Sequence, residues 1–223
     1  MSLKSLPKKI GKDLKADAKA IYHAIDAANG GAFSIIKESI VKSYQGFLDA
    51  KFYNLIVDVS DNNVSTEELI DFINSKSDKD REFMSNLIIK NLHADNRITI
   101  FILAKLWANK IKNGSLNYYE SSLFTNINIF THEDFKIYYY CLMHTAQIEK
   151  NKVFYSLVPK EKEYYVFAID KFRTIGMLDD ANIIFDGRYS KEKHGFKIYF
   201  LKTPYSDILY QILTTFFQNY DTL

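Results

Sequence analysis

Two stretches near the end of the chain decide the expected fold: FRTIGMLDD (residues 172–180) and GFKIYFLKTPYSDILYQIL (residues 195–213). Gly176 in the first stretch ends a helical pattern, because glycine accepts the left-handed backbone that stops a helix. Ile183–Phe185 and Phe196–Leu201 are runs of β-branched and aromatic residues on either side of the polar loop DGRYSKEKHG. Two such runs around a loop that contains glycine predict a β-hairpin.

Helices are predicted on both sides of this hairpin. Residues 160–175 have a helical period, and their predicted inward face consists of Tyr164, Phe167, Ala168, Phe172 and Ile175. Thr131-His132-Glu133-Asp134 has the form of a capping box with Asp in place of the usual Glu, which predicts a helix over roughly 133–147. Thr203-Pro204 supplies an N-cap followed by proline in the first turn, which predicts a last helix to about Gln218.

The first part of the chain predicts a series of helices with short connections. Residues 3–28 and about 33–58 carry apolar side chains at three- and four-residue steps. Ser65-Thr66-Glu67-Glu68 has the form of a capping box, which starts a short helix to about Asn74, and Ser77-Asp78-Lys79-Asp80 is a weaker copy of it. Further helices are predicted to about Leu92, from Ile98 to Asn113-Gly114, and over residues 115–130.

The composition is typical of a mainly helical, soluble globular protein. The 223 residues are 47% hydrophobic, 25% charged and 15% aromatic, with only 8 glycines and 3 prolines. Because average usage is roughly 7% glycine and 5% proline, there are too few helix breakers for a turn-rich β-sandwich or a disordered chain. The sequence also lacks the glycine-rich motifs of nucleotide-binding loops, since neither GxGxxG nor GxxxxGK[ST] occurs.

Charge and cysteine content set further bounds. The formal net charge of +2 is far from the strongly basic balance of an obligate nucleic-acid binder. Cys141 is the only cysteine, which excludes an intramolecular disulfide and predicts a reducing, cytoplasmic compartment. No apolar run approaches the roughly 18 residues that cross a bilayer, so no integral membrane span is expected.

The N-terminal helix has a basic outer face formed by Lys4, Lys8, Lys9, Lys12, Lys15 and Lys19. Such a helix can pack with its lysines in solvent, contact a partner or nucleic acid, or lie on an anionic membrane. Its apolar face lacks Trp and Phe anchors, which weakens the membrane interpretation.

The order of elements in the last part of the chain resembles a winged-helix domain over about residues 132–218. The segment from Phe172 to Leu213 is similar to the stretch in which a recognition helix ends, a two-stranded wing follows, and a Leu-Thr-Pro step begins the closing helix. The resemblance implies that the second helix of the trihelical core lies within Gln147–Pro159, which has poor helical character. The helical part upstream resembles proteins carried by bacterial prophages.

In winged helices that bind DNA, the third helix enters the major groove and the wing contacts phosphate or the minor groove. The resemblance therefore implies a groove-facing set and a wing set of basic residues: Lys160, Lys162, Lys171 and Arg173, and Arg188, Lys191 and Lys193. Residues 160–202 hold nine basic and seven acidic side chains, and so small an excess of positive charge is unfavourable for binding phosphates. Contact with a protein, with the wing merely structural, remains open.

No catalytic constellation emerges, since HExxH, paired CxxC and GxSxG are all missing. Cys141 and His144 have a spacing that suits two metal ligands, with His132 nearby, but a buried thiol beside a surface histidine explains them better. His93-Ala94-Asp95 is better explained as a helix end than as an acid/base pair. The clusters Tyr138-Tyr139-Tyr140 and Tyr164-Tyr165 are more typical of core or dimer contacts than of base stacking.

These observations predict a mainly α protein with two domains: a helical region over residues 1–130 and a winged-helix-like α+β domain with a two-stranded wing over residues 131–223. We predict a non-enzymatic binding or regulatory protein of a bacterial mobile element, acting through the winged-helix-like domain on DNA or on a host or phage protein. The alternative is a helical protein-protein interaction or dimerisation module without nucleic-acid binding, including a homodimer. No catalytic residue, metal site or cofactor is predicted.

Overall fold

The computed structural model of the protein describes residues 42–75, 77–144, 146–149, 152–157, 162–179 and 196–220. These residues are mainly helical, as predicted, with a small antiparallel sheet. The predicted lysine-rich helix over residues 3–28, the start of the helix over 33–58, the strand Ile183–Phe185 and the loop that follows it lie outside the described residues. No helix in the described part is long and apolar enough to cross a bilayer.

The chain divides into two compact units. The described residues up to Ala94 group with Ile100–Leu116, whereas Asp95–Thr99 group with the residues from Asn117 onward. Within the described residues the first unit is entirely helical and the second carries the sheet. The predicted domain boundary at residue 130 stays a prediction, although the contacts within the chain group residues 117–130 with the C-terminal unit.

The N-terminal unit is built from helices whose ends follow the local sequence signals. Its elements are α1 (Lys42–Asp61), α2 (Thr66–Ile73), α3 (Asp78–His93) and, from Ile100 onward, α4 (Arg97–Asn113). Gly114 ends α4 with a φ of 72°, a backbone conformation that glycine adopts without the steric cost of a Cβ atom. The predicted helix stop at Asn113-Gly114 is therefore confirmed.

The capping box predicted at Ser65 is confirmed in full. Ser65 Oγ accepts a hydrogen bond from Glu68 N at 3.1 Å, and Glu68 Oε2 accepts one from Ser65 N at 2.8 Å. The bond from the Ser65 backbone is the largest cause that lowers the pKa of Glu68. Both bonds satisfy amides that the first turn of α2 leaves without a helical partner.

The weaker capping box predicted at Ser77 is wrong, although α3 does begin directly after this residue. The Ser77 side chain makes no capping hydrogen bond. Asp80, which was expected to close the box, instead lies 2.8 Å from Lys110 Nζ on α4 and accepts a hydrogen bond from Ser75 Oγ at 2.9 Å. The Lys110 hydrogen bond is the largest cause that holds the pKa of Asp80 below its ordinary value.

A buried lysine occupies the opposite end of α3. The Lys51 ammonium on α1 donates hydrogen bonds to the carbonyl oxygen of Leu92, at 3.0 Å, and to that of Ala94. Carbonyls at a helix C-terminus lack helical donors and carry the negative end of the helix dipole, so a cation is favourable there. Lys51 therefore joins α1 to the end of α3 even though its side chain is buried.

The C-terminal unit combines four further helices with four strands. Its elements are α5 (Tyr118–Asn126), a 3₁₀ turn (Ile127–Ile129), α6 (His132–Met143), β1 (Ala146–Glu149), β2 (Lys152–Leu157), α7 (Lys162–Thr174), β3 (Leu178–Asp179), β4 (Phe196–Lys202) and α8 (Ser206–Tyr220). The helix predicted within residues 115–130 is confirmed as α5, which begins at a capping box formed by Asn117 and Glu120. The capping box predicted at Thr131 is also present and starts α6.

The sheet has the strand order β1-β2-β4-β3, and all neighbouring strands are antiparallel. β2 pairs with β4 from Lys152 opposite Leu201 to Leu157 opposite Phe196. The helix that the winged-helix resemblance implied within Gln147–Pro159 is wrong, because the described residues of that stretch form β1 and β2. Val153-Phe154-Tyr155 are β-branched and aromatic, and such residues favour a strand once a partner such as β4 is present.

The predicted N-cap at Thr203 with Pro204 at the first helical position is wrong, because Pro204 and Tyr205 form a turn and regular helix begins at Ser206. Thr203 Oγ1 accepts a hydrogen bond from Tyr205 N at 3.3 Å, and Ser206 Oγ accepts one from Thr203 N at 3.0 Å. The two hydroxyl groups also donate to the carbonyl oxygen of Met177, at 3.2 and 2.6 Å respectively. The start of α8 is therefore bonded to the residue that precedes β3.

Candidate functional site

Helix α7 is the element on which the sequence placed most of its described candidate residues. It ends at Gly176, whose φ is 76°. Gly176 N donates to the carbonyl oxygen of Arg173 at 3.0 Å, and Met177 N donates to that of Phe172 at 3.0 Å. This pair of hydrogen bonds is the Schellman motif that glycine favours at the end of a helix. The predicted stop at Gly176 is therefore confirmed.

The inner face of α7 packs into an aromatic core. Phe172 is fully buried, with its ring stacked on Phe130 at a centroid distance of 4.5 Å. The same ring lies 4.4 Å from Tyr138 and 5.8 Å from Phe135, both on α6. Such ring pairs contribute about 0.5–1.5 kcal/mol each beyond the area they bury. Phe172 therefore fixes which face of α7 is turned away from solvent.

The outer face of α7 differs from the sequence prediction. Ala168, Phe172 and Ile175 are buried as predicted, but Tyr164 is 75% exposed and Phe167 is 69% exposed. Ile169 is buried instead. Phe167 and Ile169 lie about 100° to either side of Ala168 around a helix of 3.6 residues per turn, so only one of them falls within the buried arc. The prediction that Tyr164 and Phe167 face inward is wrong. The position of the buried arc explains this for Phe167 alone, because Tyr164 lies only about 40° from Ala168 around the helix.

Lys171, one of the predicted groove-facing residues, is engaged inside the C-terminal unit. Its Nζ lies 2.6 Å from Asp134 Oδ2 on α6, and the Asp134 side chain is only 10% exposed. The same Asp134 oxygen accepts hydrogen bonds from Thr131 N at 2.8 Å and Thr131 Oγ1 at 3.0 Å. Asp134 therefore both caps α6 and holds α7. The sequence predicts the cap but carries no local signal for a partner on another helix.

The remaining predicted nucleic-acid contacts are described only in part. Arg173 Nη1 lies 3.4 Å from Asp170 Oδ1 one helical turn earlier. Lys162 is the first residue of α7. The other predicted contacts, Lys160, Arg188, Lys191 and Lys193, lie outside the described residues. Both of the predicted cations whose side chains are described therefore have a carboxylate partner within their own unit.

The Cys141 and His144 pair does not form a ligand cluster. Cys141 is fully buried, and burial raises the pKa of its thiol. His144 is exposed, with Nδ1 lying 3.1 Å from the carbonyl oxygen of Tyr140 and its ring 4.1 Å from the Tyr140 ring. No group of three or more His, Cys, Asp or Glu side chains capable of holding a metal occurs among the described residues. Cys141 and His144 therefore form the predicted arrangement, a buried thiol beside a surface histidine.

The tyrosine cluster of α6 is mostly core. Tyr138 is fully buried, and its hydroxyl donates to the carbonyl oxygen of Ser206 at 3.0 Å. Burial is the main cause that raises the pKa of Tyr138. Tyr139 is also buried, and its ring is stacked on Tyr210 at 5.2 Å. Tyr140 is the exposed member of this cluster. Packing against α8 therefore accounts for Tyr138 and Tyr139, as their helical spacing predicted.

His93 and Asp95 lie at the junction between α3 and α4, and both are exposed. Asp95 Oδ1 accepts a hydrogen bond from Asn96 Nδ2 at 2.7 Å, and Asn96 Oδ1 accepts one from Thr99 N at 2.8 Å. The second bond satisfies an amide in the first turn of α4. The interpretation of this stretch as a helix end is therefore confirmed.

Comparison with known proteins gives no match. No protein-family model matches the sequence, and neither the curated proteins nor the solved structures give a significant match. The function is therefore inferred from the geometry of the described residues.

Proposed function

We propose that this chain is a non-enzymatic binding or regulatory protein that recognises a protein partner through the outer face of α7. In this proposal the docking surface consists of Tyr164 and Phe167, with the rest of the C-terminal unit holding the helix in place. The proposal keeps the non-enzymatic class predicted from the sequence. Of the two kinds of partner predicted there, DNA and protein, it selects a protein. Origin in a bacterial mobile element stays a prediction that rests on the prophage resemblance.

The exposure of Tyr164 and Phe167 is the observation that carries the proposal. These side chains lie three residues apart on one helix and are 75% and 69% exposed. Residues at this spacing are neighbours on a helix surface, so the two rings offer a pair of anchors. Helices commonly dock into apolar grooves through anchors at such spacings, and aromatic anchors contribute much of the affinity in many interfaces.

The charges beside these rings support a protein partner over duplex DNA. Lys171 lies 2.6 Å from Asp134, and Arg173 lies 3.4 Å from Asp170. Phosphate binding depends on cations that release counterions from the duplex, and a carboxylate beside each cation opposes the approach of phosphate. Lys171 would also have to leave a largely buried carboxylate in order to reach a phosphate.

Replacement of both rings tests the proposed surface. We expect the double variant Tyr164→Ser, Phe167→Ser to lose at least about 100-fold in affinity for a partner. Two buried aromatic side chains at about 1.5–3 kcal/mol each contribute about 3 kcal/mol or more, and 1.4 kcal/mol is a factor of ten. A matched control is Tyr118→Ser, since Tyr118 is 77% exposed in the same unit but lies on α5. The control should bind as tightly as the wild type.

The experiment has two steps because the partner must first be found. Immobilised wild type, double variant and Tyr118→Ser are exposed to a lysate of the source organism, and any protein retained only by wild type and Tyr118→Ser is purified. Calorimetry with that purified protein then measures the affinity of each variant. Equal affinity for wild type and the double variant, or no purified protein that depends on the two rings, would contradict the proposal. Light scattering of the three proteins identifies the case in which the partner is a second copy of this chain.

A further inference from the structure

We draw no further inference here: the strongest candidate, the exposed aromatic pair Tyr164 and Phe167 on α7 taken as a contact between two copies of this chain, belongs to the surface already proposed, and nothing in the described residues shows what covers it.

Discussion

At the scale of single residues, two described carboxylates lie close to lysines on other helices. Asp80 lies 2.8 Å from Lys110, and Asp134 lies 2.6 Å from Lys171. Both acids were assigned to local capping boxes by their position in the sequence. The assignment holds for Asp134 and fails for Asp80, which shows that a cap motif predicts where a helix starts better than it predicts the partner of its side chain.

The ion pair of Asp80 should make the N-terminal unit sensitive to acid. Its folded pKa lies below the ordinary value of 3.8, so the stabilisation is complete above that value and is lost as the pH falls through the lower folded value. We expect Asp80→Asn to cost about 1.5–3 kcal/mol at pH 7, because a hydrogen bond to a charged group contributes this much. The difference from wild type should shrink below about pH 4.

Urea unfolding followed by fluorescence measures this effect, since Trp107 is the only tryptophan and is buried in the N-terminal unit. Glu82→Gln is a suitable control, because Glu82 is an exposed acid on the same helix. A free energy of unfolding that falls with acid as steeply in Asp80→Asn as in wild type would contradict the role given to Asp80.

The contacts of Asp134 predict that replacing Asp134 lowers the free energy of unfolding more than replacing its partner Lys171 does. Asp134→Ala removes the cap of α6 and leaves Lys171 without its carboxylate, so we expect a loss of about 2–3 kcal/mol. Lys171→Ala should cost about 1 kcal/mol, because Asp134 keeps its hydrogen bonds from Thr131. Urea unfolding followed by near-ultraviolet circular dichroism, which reports the tyrosine-rich C-terminal unit, measures both.

Asp170→Ala is the control for this comparison, because Asp170 forms an exposed pair with Arg173 on α7. Exposed pairs contribute about 0–1 kcal/mol, so the control should differ little from wild type. If Asp134→Ala and Asp170→Ala lowered the free energy of unfolding equally, the ion pair between Lys171 and Asp134 would not hold α6 to α7.

At the scale of elements, helix ends were predicted well because their signals are local. Glycine at the end of α4 and α7, and the Ser65 and Thr131 caps, depend on residues only a few positions apart. The arc of α7 that is buried could not be predicted, because it is defined by Phe130, Phe135 and Tyr138 on other parts of the chain. The proposed docking surface depends on this arc.

The strands between α6 and α7 were missed for a similar reason. β2 pairs along its length with β4, which lies about forty residues later in the chain. A short run of β-branched and aromatic residues does not itself reveal such a partner, since strand preference depends on cross-strand contacts. The structure therefore has the antiparallel strands β1 and β2 where the winged-helix resemblance implied a helix. Sequence periodicity could not distinguish a helix from strands in this short stretch.

The two helix-terminating glycines should respond differently to the same substitution. Gly114 and Gly176 have φ values of 72° and 76°, so alanine is strained at both. A Cβ atom at Gly114 would have no heavy atom within 4 Å, whereas one at Gly176 would lie 3.3 Å from Tyr119 Cε1. The Tyr119 ring is itself stacked on Tyr205, with a centroid distance of 3.4 Å, and has little freedom to move.

We therefore expect Gly114→Ala to cost about 1 kcal/mol and Gly176→Ala about 2 kcal/mol or more. Urea unfolding of the two variants, followed by fluorescence for the N-terminal unit and by near-ultraviolet circular dichroism for the C-terminal unit, provides the comparison. The cost of Gly176→Ala should be smaller when it is measured in a Tyr119→Ala background, where the obstructing ring is absent. An equal cost at both glycines would mean that the Tyr119 contact is not restrictive.

At the scale of the whole molecule, the sequence predicted the mainly helical class from its few glycines and prolines. It also predicted a strand over Phe196–Leu201, which is confirmed as β4, but it did not predict β1 and β2. It could not predict whether Lys171 on α7 is available, because the acidic partner of Lys171 lies on another helix and is brought close only by folding. Asp134 is 37 residues from Lys171 along the chain.

The exposed rings of α7 should be dispensable for folding. Tyr164 and Phe167 bury little of their area, so the double variant to serine should unfold within about 0.5 kcal/mol of wild type. Near-ultraviolet circular dichroism during urea unfolding measures this, and the result also validates the double variant as a binding probe. A loss of several kcal/mol would mean that the two rings contribute to the core rather than to a docking surface.

In the proposed function, α7 presents an apolar docking face with internally paired cations rather than a surface for duplex DNA. The most direct measurement is fluorescence anisotropy of a labelled duplex of about 20 base pairs, titrated with the full chain at about 50 and 200 mM salt. We predict that the double variant Lys171→Ala, Arg173→Ala and the wild type behave alike at both salt concentrations, because both cations are already paired with carboxylates. Binding that weakens steeply between the two salt concentrations, and weakens further in the double variant Lys171→Ala, Arg173→Ala, would contradict the account.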